Sequence, residues 1–362
     1  MLPLPVTSRR FYEPSDEALA LLNGKKWICS YSGGKDSTSL VTWIEWLRRT
    51  GQVDVDEPRL VMSDTAVEFP FLSRIAETLM ARLRDCGWKT EIVRPELNQK
   101  LYNQIFGRGL TPIYPGIRNM RWCTRATKID PMEKFIKTLD GDYVQLSGVR
   151  WGESKMRDGK LEKRAAGCSA GGECGLPDPD KAPATRNVYG PIMNWRTCQV
   201  IDWLSGERRL DIPDLIDIVR ELLHVYEIKF GPRGFGIGPP KVSALRFGCI
   251  GCPAIGRDKM TSKQLADNPQ WKILRQLYVI WEKLRHRRNR LPPKRKMRLP
   301  GPIRMVARQY FFTELLDVQK QSGVCLVTDE DELYIRDCWQ NKVYPRGWSV
   351  EDDLDNGPIW KG

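Results

Sequence analysis

At residues 27–37 the sequence reads Trp27-Ile28-Cys29-Ser30-Tyr31-Ser32-Gly33-Gly34-Lys35-Asp36-Ser37. The first five residues are β-prone, and the last six combine two glycines with a lysine, an aspartate and hydroxyl side chains. Apolar residues at helical spacing then follow, namely Leu40, Trp43, Ile44 and Leu47. Where a strand meets a helix in this way, oriented amides and the helix N-terminus form an anion site. The stretch therefore predicts a strand, a phosphate-binding loop at 32–37, and a helix.

The same alternation continues on both sides of this unit. Residues 60–63, 91–93 and 143–146 are further strand candidates, and Leu72, Ile75, Ala76, Leu79 and Leu83 mark a second amphipathic helix. Strands separated by helices indicate βαβ units. We predict an α/β fold with a doubly wound, mostly parallel sheet.

Two domains are expected from the length of 362 residues. We assign 1–205 to the domain of the phosphate loop, with a Gly- and Pro-rich insertion at about 155–190. Residues 206–362 are assigned to a mainly helical, basic domain that carries Cys249 and Cys252.

The amino-acid composition limits the classes of function that the chain can have. Apolar residues make up 41% and charged residues 28% of the chain, which is typical of a globular protein. No apolar run approaches the ~20 residues of a membrane span, and residues 1–26 lack a secretory signal, so we expect a cytoplasmic protein without membrane contact. The formal charge of +13 favours a polyanionic partner. With two histidines in the chain, a Ser-His-Asp mechanism is not expected.

Each side chain of the loop has a chemical use on a phosphate chain. Gly33 and Gly34 allow a tight turn and close approach, while Lys35 adds a positive charge. The hydroxyls of Ser32 and Ser37 can donate to phosphoryl oxygens. Asp36 can cap the helix or help hold Mg²⁺. The alternative is an ordinary glycine-rich turn between a strand and a helix.

The loop resembles the pyrophosphate loop of the ATP-pyrophosphatase (PP-loop) superfamily, which cleaves ATP between its α and β phosphates and adenylates a substrate. Four further segments resemble motifs of its phosphoadenylylsulfate-reductase branch: 63–70, 121–131, 148–157 and 191–195. The resemblance implies that ATP binds at 32–37 and that other motif residues contribute to the nucleotide site, namely Asp64, Glu68, Arg121, Arg150, Glu153 and Arg157. Asp64 and Glu68 would orient the nucleotide or magnesium, or cap the helix that begins near Pro70.

Two cysteine pairs suggest a metal site. Cys249 and Cys252 form a C-x-x-C sequence, and Cys168 and Cys174 lie in a glycine-rich segment upstream. Four thiolates suit either zinc or an iron–sulfur cluster, and the resemblance favours a 4Fe-4S cluster with Zn²⁺ as the alternative. A redox dithiol at Cys249 and Cys252, or simple buried thiols, remains open.

Cys123 lies between Arg121 and Arg125, which can stabilise a thiolate or persulfide. Its alternatives are packing in the nucleotide domain, a sulfur relay, or a ligand of the metal site. Cys29, in the first strand, is expected in the core.

Two segments resemble the DNA phosphorothioation sulfurtransferases within this branch: 107–109 and 246–253. That resemblance implies an enzyme that adenylates a DNA backbone phosphate and replaces a non-bridging oxygen with sulfur. It implies catalytic roles for Lys35, Asp36, Cys123 and Arg150. It also implies a cysteine desulfurase and other phosphorothioation proteins as partners.

Three other functions stay open. A phosphoadenylylsulfate or adenylylsulfate reductase would have a C-terminal cysteine followed by glycine and histidine, which neither Cys325 nor Cys338 is. A tRNA thiolation enzyme and a non-catalytic cluster protein that binds nucleic acid are the others. Eight Lys and Arg residues between 285 and 298 favour a nucleic-acid surface, with a solvated helix face or a protein-docking surface as alternatives.

Overall fold

The fold is described from a computed structural model of the chain. It describes residues 12–14, 16–55, 57–112, 122–141, 143–151, 188–205, 212–227, 229–230, 236–237, 247–254, 260, 262–294, 300–354 and 357–362. The chain divides into two units, and each is formed by separate stretches of sequence. Unit 1 is Met1–Ser63, Pro70–Ile92 and Lys137–Phe247, and unit 2 is Asp64–Phe69, Val93–Ile136 and Gly248–Gly362.

The described strands are β1 Lys26–Tyr31, β2 Arg59–Ser63, β3 Lys89–Val93, β4 Tyr143–Ser147, β5 Val188–Tyr189, β6 Lys229–Phe230 and β7 Gly236–Ile237. The described α-helices are α1 Asp16–Leu22, α2 Lys35–Arg49, α3 Pro70–Asp85, α4 Trp122–Thr124, α5 Asp130–Ile136, α6 Thr197–Ser205, α7 Ile216–Val225, α8 Ser262–Asp267, α9 Gln276–Arg285, α10 Met305–Ser322 and α11 Asp329–Gln340. Shorter 3-10 and π-helical turns connect several of them.

The main sheet has five strands in the order β3-β2-β1-β4-β5. β1 pairs in parallel with β2 and β4, with Cys29 opposite Leu60 on one side and Leu146 on the other. β4 and β5 are also parallel. Because the strand order runs in both directions from β1, the sheet is doubly wound, as predicted. Such sheets bind ligands at the carboxyl ends of the strands where the order reverses, which here means after β1 and β4.

The core of unit 1 is rich in tryptophan. Trp27, in β1, is fully buried, and Trp43 and Trp46 on α2 contact Trp195 and Trp203 with ring centroids 6.2 and 5.6 Å apart. α7 also belongs to unit 1, where ion pairs join Arg82 and Arg74 of α3 to its Asp217 and Glu221. The predicted boundary at 205/206 therefore falls inside unit 1.

Unit 2 is mainly helical in its described part. Phe312 on α10 contacts Phe106 and Trp339 at ring-centroid distances of 5.4 and 5.5 Å, and the Trp339 indole donates to the Phe106 carbonyl at 2.8 Å. Near the C-terminus, the Asn289 side chain both donates to and accepts from the Trp360 backbone, at 2.7 and 2.8 Å. Segments distant in sequence thus form one core.

Helix periodicity correctly predicted α2 and α3, whereas a segment of unit 2 differs from its pattern. The spacing of Trp271, Leu274, Tyr278 and Trp281 predicts one helical stretch over 264–290. The structure instead has α8, a 3-10 segment Pro269–Arg275, and then α9. Pro269 cannot donate a helical hydrogen bond, and the chain restarts its helix after it. Within the described residues, no helix has the length and apolar content needed to cross a membrane.

One buried carboxylate connects α2 to the residues after α3. Glu45 has no exposed surface, and it accepts hydrogen bonds from the Trp88 indole at 2.7 Å and from Arg49 and Arg48 at 2.7 and 3.1 Å. The two arginines neutralise the carboxylate, so its burial in the core is tolerated.

We predict that Glu45→Ala lowers the free energy of unfolding by about 3 kcal/mol or more, because it leaves a buried indole N–H without its acceptor and removes the carboxylate that Arg48 and Arg49 share. Glu77, exposed on α3, provides the control. Urea unfolding should show Glu77→Ala within about 0.5 kcal/mol of wild type. Equal stabilities for the two variants would contradict the role of Glu45.

Candidate functional site

The phosphate loop follows the central strand of unit 1. β1 ends at Tyr31 and α2 begins at Lys35, so residues 32–34 form the turn between them. The first amides of α2 have no acceptor within the helix and lie at the positive end of its dipole. This is the arrangement that the sequence predicted for an anion site.

Two glycines allow the backbone to pass closely at this point. Gly33 has φ +69°, and a Cβ there would lie 3.2 Å from the Ala76 side chain. Gly148, directly after β4, approaches even more tightly. A Cβ at Gly148 would lie 3.0 Å from the Asp36 carbonyl group and 3.0 Å from Ser37 Cα. The ends of β1 and β4 therefore meet at the loop with no room for a side chain.

Three charged side chains at the loop contact one another. Asp36 Oδ2 is 3.1 Å from Lys35 Nζ, and its Oδ1 accepts a 2.8 Å hydrogen bond from Arg150 Nε. Arg150 also donates to the Trp195 carbonyl at 2.8 Å. Lys35 and Arg150 are only 2% and 3% exposed. We call these three residues the charge bracket.

The bracket keeps Asp36 ionised. Burial acts to raise the pKa of the Asp36 carboxyl group, but the charges of Lys35 and Arg150 outweigh it and hold that pKa below its ordinary value. Both carboxylate oxygens are already engaged by cations. The N-cap position of α2 is Gly34, without a side-chain cap, so the predicted capping role of Asp36 is not observed. A role of Asp36 in holding Mg²⁺ stays a prediction.

The hydroxyl groups of the loop contact each other. Ser32 Oγ and Ser37 Oγ are 3.0 Å apart, and Ser37 Oγ donates to the Gly34 carbonyl at 3.0 Å. Ser32 is exposed, whereas Ser37 is buried. Ser37 thus closes the turn, and Ser32 is the hydroxyl of this pair that faces solvent.

The cysteine pair lies in unit 2. Cys249 and Cys252 are half-buried and belong to one turn, in which the Cys252 amide donates to the Cys249 carbonyl at 3.2 Å. Gly251 has φ +56°, and a Cβ there would meet Leu277 at 2.4 Å. The Trp281 indole and an Arg285 guanidinium hold the Gly251 and Pro253 carbonyls at 2.5 and 2.6 Å. The two thiols are presented by a fixed turn.

Polar residues from two distant segments surround Cys249. Thr65 Oγ1 is 3.7 Å from Cys249 Sγ and donates to Glu68 at 2.8 Å, and Lys128 Nζ lies 3.4 Å from the same carboxylate. Burial raises the pKa of the Cys249 thiol to about 12, with a further contribution from the Glu68 charge. Glu68 was predicted to serve the nucleotide or Mg²⁺, and the structure gives it partners beside the cysteine pair.

Asp64 holds the loop that contains Thr65 and Glu68. Its Oδ1 accepts from the Ala66 amide at 2.8 Å, and its Oδ2 pairs with Arg94 Nε at 2.9 Å. Ala66 has φ +60°, a left-handed conformation that costs a non-glycine residue about 1 kcal/mol or more. These contacts of Asp64 all lie within unit 2.

Cys123 lies on the short helix Trp122–Thr124 and is half-buried. Arg125, predicted to act on it, pairs with Asp130 at 3.1 Å. Cys29 is fully buried in β1, as expected, and burial raises its pKa well above the ordinary range. The role of Cys123 stays a prediction.

Several predicted site residues lie outside the described residues: Arg121, Glu153, Arg157, Cys168 and Cys174. Most of the predicted insertion at 155–190 does so as well. In the part of the chain that the structure describes, no group of three or more His, Cys, Asp and Glu residues is arranged to hold a metal ion. Cys249 and Cys252 can supply two of four thiolate ligands, and the other two stay a prediction.

The family profile of the phosphoadenosine phosphosulfate reductase domain matches residues 26–253, which is more than half of the chain. The match contains the phosphate loop, the Gly148–Arg150 segment and the cysteine pair. The chain belongs to this family. The family is one of sulfur-related nucleotide chemistry; its members commonly use ATP or another nucleotide, and some carry a 4Fe-4S cluster.

Two individual proteins are similar to the chain. An uncharacterized protein of Methanocaldococcus jannaschii (MJ0066) is 26% identical over 267 residues, and the match spans 72% of this chain and 40% of that protein. The crystal structure of the phosphoadenylyl-sulfate (PAPS) reductase from Candida auris, a phosphate complex, matches with 13% identity and a TM-score of 0.32. That match covers 51% of this chain and 73% of the reductase.

The sequence motifs of the family did not reveal every residue at these sites. Tyr226 contacts the phosphate loop, and Thr65 and Lys128 contact the surroundings of Cys249. Thr65 and Lys128 lie inside the motif segments 63–70 and 121–131, so the sequence could have indicated them as site residues. Tyr226 follows α7, far from any motif, and only the folded chain brings it to the loop.

The basic segment, residues 285–298, is not exposed along its whole length. Arg290 is 6% exposed and donates to the Gly301 and Pro300 carbonyls, both at 2.5 Å. Arg308, farther along, is fully buried with Nη1 bound to the Gly107 and Val343 carbonyls at 2.7 and 2.9 Å. Arg287, Arg288 and Lys294 are the exposed members of the segment among its described residues. Part of the positive charge therefore holds loops in place.

We predict that Gly148→Ala weakens ATP binding at least about tenfold and destabilises the protein by about 1–3 kcal/mol, since the new methyl group meets only backbone atoms of the loop. Gly190→Ala is the matched control, because its Cβ would meet nothing closer than 3.6 Å. Calorimetric titration with ATP and urea unfolding measure the two effects. Wild-type affinity in Gly148→Ala would show that the loop tolerates displacement.

Proposed function

We propose that this chain is an ATP-dependent sulfurtransferase that adenylates a DNA backbone phosphate and then replaces a non-bridging oxygen with sulfur. The observation that carries the proposal is the charge bracket under a glycine loop at the carboxyl end of the central strand. It places two buried cations and a helix N-terminus at one point. These are the features that stabilise a transferring phosphoryl group.

The first step is adenylation. A non-bridging oxygen of the DNA phosphate attacks the α-phosphorus of ATP, the bond to the β-phosphate breaks, and pyrophosphate leaves. The loop amides and the positive end of α2 bind the leaving pyrophosphate. The positive charges of Lys35 and Arg150 stabilise the developing negative charge on the phosphates, and Asp36 holds both cations in position.

The second step is displacement. A sulfur nucleophile at the oxidation level of sulfide attacks the DNA phosphorus, the bond to AMP breaks, and the phosphorothioate and AMP are released. A cysteine desulfurase supplies the sulfur as a persulfide, and two electrons from an external thiol bring it to the sulfide level. Cys123 and the cysteine pair are the candidate carriers on this chain.

Cys249 and Cys252 are proposed to hold a 4Fe-4S cluster together with Cys168 and Cys174. The described half of this donor set supports the proposal, since Cys249 and Cys252 lie on one glycine-containing turn with Thr65 Oγ1 3.7 Å from Cys249 Sγ. When bound, the cluster supplies electron transfer or a site for sulfur. Zn²⁺ at the same cysteines is the alternative.

DNA as acceptor is supported by the net charge of +13 and by the exposed members of the basic segment. Other phosphorothioation proteins are the expected partners.

A reductase acting on phosphoadenylylsulfate is the second candidate, favoured by the family profile itself. In that reaction the nucleotide arrives already sulfated, and no ATP is cleaved. Release of pyrophosphate from ATP separates the two functions, as does release of sulfite from phosphoadenylylsulfate with thioredoxin. A tRNA acceptor is separated by the nucleic acid that gains sulfur.

We predict that the wild-type protein, given ATP, Mg²⁺, DNA, a desulfurase with cysteine and a thiol, releases pyrophosphate and AMP, and that digested DNA contains phosphorothioate dinucleotides by mass spectrometry. Asp36→Ala should abolish both products, because it removes the anchor of two buried cations. Glu77→Ala should match wild type. Pyrophosphate release that persists in a folded Asp36→Ala protein would refute the assignment of ATP to this loop.

We further predict that anaerobically purified protein contains iron and acid-labile sulfide, with a broad absorption band that is lost in Cys249→Ser and in Cys252→Ser. Cys325→Ser, which changes an exposed thiol, should retain both. Measurement of iron, sulfide and zinc per chain decides the result. A colourless protein with stoichiometric zinc would replace the cluster with a structural metal.

A further inference from the structure

Tyr226 presents its hydroxyl group to the start of the phosphate loop. It follows α7 as the C-cap residue and is 2% exposed. The Lys35 amide donates to the Tyr226 hydroxyl oxygen at 3.4 Å, and a Cβ added to Gly34 would lie 3.6 Å from the same oxygen. The phenol oxygen therefore lies directly against the backbone of the predicted anion site.

This oxygen occupies a position that suits a phosphoryl oxygen. Lys35 is the first residue of α2, and its amide is one of those that the helix leaves without an internal acceptor. At 3.4 Å the hydrogen bond to Tyr226 is long, and an anion would be a stronger acceptor for the same amide.

The ring of Tyr226 contacts Phe247 and Lys35. Its centroid is 5.2 Å from that of Phe247 in an edge-to-face arrangement, and Phe247 contacts Phe71 at 5.6 Å in the same way. The Lys35 ammonium group lies 5.6 Å from the centre of the Tyr226 ring. A ring packed in this way keeps its hydroxyl oxygen in place.

We propose that Tyr226 is a direct ligand of the terminal phosphates and selects nucleotides that carry a pyrophosphate group. A phenol both accepts and donates, so the hydroxyl that accepts from Lys35 in the absence of ligand donates to a phosphoryl oxygen when one is bound. No bond is formed or broken. This assignment rests on the proposed function, because it requires the triphosphate to bind at residues 32–37.

Tyr226→Phe tests the assignment, since it removes one oxygen and keeps the ring contacts with Lys35 and Phe247. We expect the affinity for inorganic pyrophosphate and for ATP to fall by at least about tenfold, which is the usual effect of losing a hydrogen bond to a charged group. The affinity for AMP should stay within about twofold, because AMP has no terminal phosphates. Calorimetric titration of the full chain provides all three values.

Tyr12→Phe is the matched control. Its hydroxyl is also buried in unit 1, where it donates to Asp202 at 2.7 Å and to the Gln199 carbonyl at 3.1 Å, so its loss reports on stability alone. We expect ligand affinities equal to wild type in that variant, and an unchanged thermal midpoint in Tyr226→Phe.

The outcomes separate the two proposals. Unchanged or tighter binding of pyrophosphate in Tyr226→Phe, with normal binding in wild type, overturns the assignment of Tyr226 and leaves the proposed function intact. An equal loss for AMP and pyrophosphate also overturns it, because it indicates a displaced loop. A wild-type protein that binds neither ATP nor pyrophosphate overturns the proposed function itself.

Discussion

The contact of one carboxylate with two buried cations is the interaction on which the candidate site at residues 32–37 depends. Asp36 holds Lys35 on one oxygen and Arg150 on the other, and Arg150 connects this pair to the Trp195 carbonyl. Removing one partner from a buried ion pair leaves an uncompensated charge, so replacing any of the three should lower the free energy of unfolding strongly. The bracket thus connects the loop after β1, the turn after β4 and the segment before α6.

Much of the fold of unit 1 could be predicted from local pattern alone. The strands at 60–63, 91–93 and 143–146 and the helices around Leu40–Leu47 and Leu72–Leu83 all lie inside observed elements, because periodicity is a property of neighbouring residues. The membership of the units could not be predicted in this way. α7 joins unit 1 through ion pairs with α3, and Asp64–Phe69 joins unit 2, and both depend on partners far along the chain.

The candidate site, like the fold, could be predicted only in part from local sequence. The motifs placed Lys35, Asp36 and Arg150 in one predicted site, and the structure brings these three side chains into contact. Motif spacing carries no information about the direction in which a side chain points. Lys35 and Arg150 turn inward to Asp36, and Glu68 lies with Thr65 and Lys128 near Cys249 in unit 2. Tyr226 was missed because a single tyrosine after an amphipathic helix has no distinguishing pattern. Arg290 was predicted to belong to a basic surface, although its guanidinium group binds backbone carbonyls.

The charge of the bracket also explains why the loop suits an anion. Two cations and one carboxylate, all held close together, leave one positive charge in excess under the loop, and burial makes such an excess costly. A bound phosphate chain supplies the missing negative charge while it satisfies the amides at the start of α2. The same excess acts against a third cation at Asp36, beside Lys35 and Arg150. The excess positive charge that is costly to bury therefore also favours an anion at the loop.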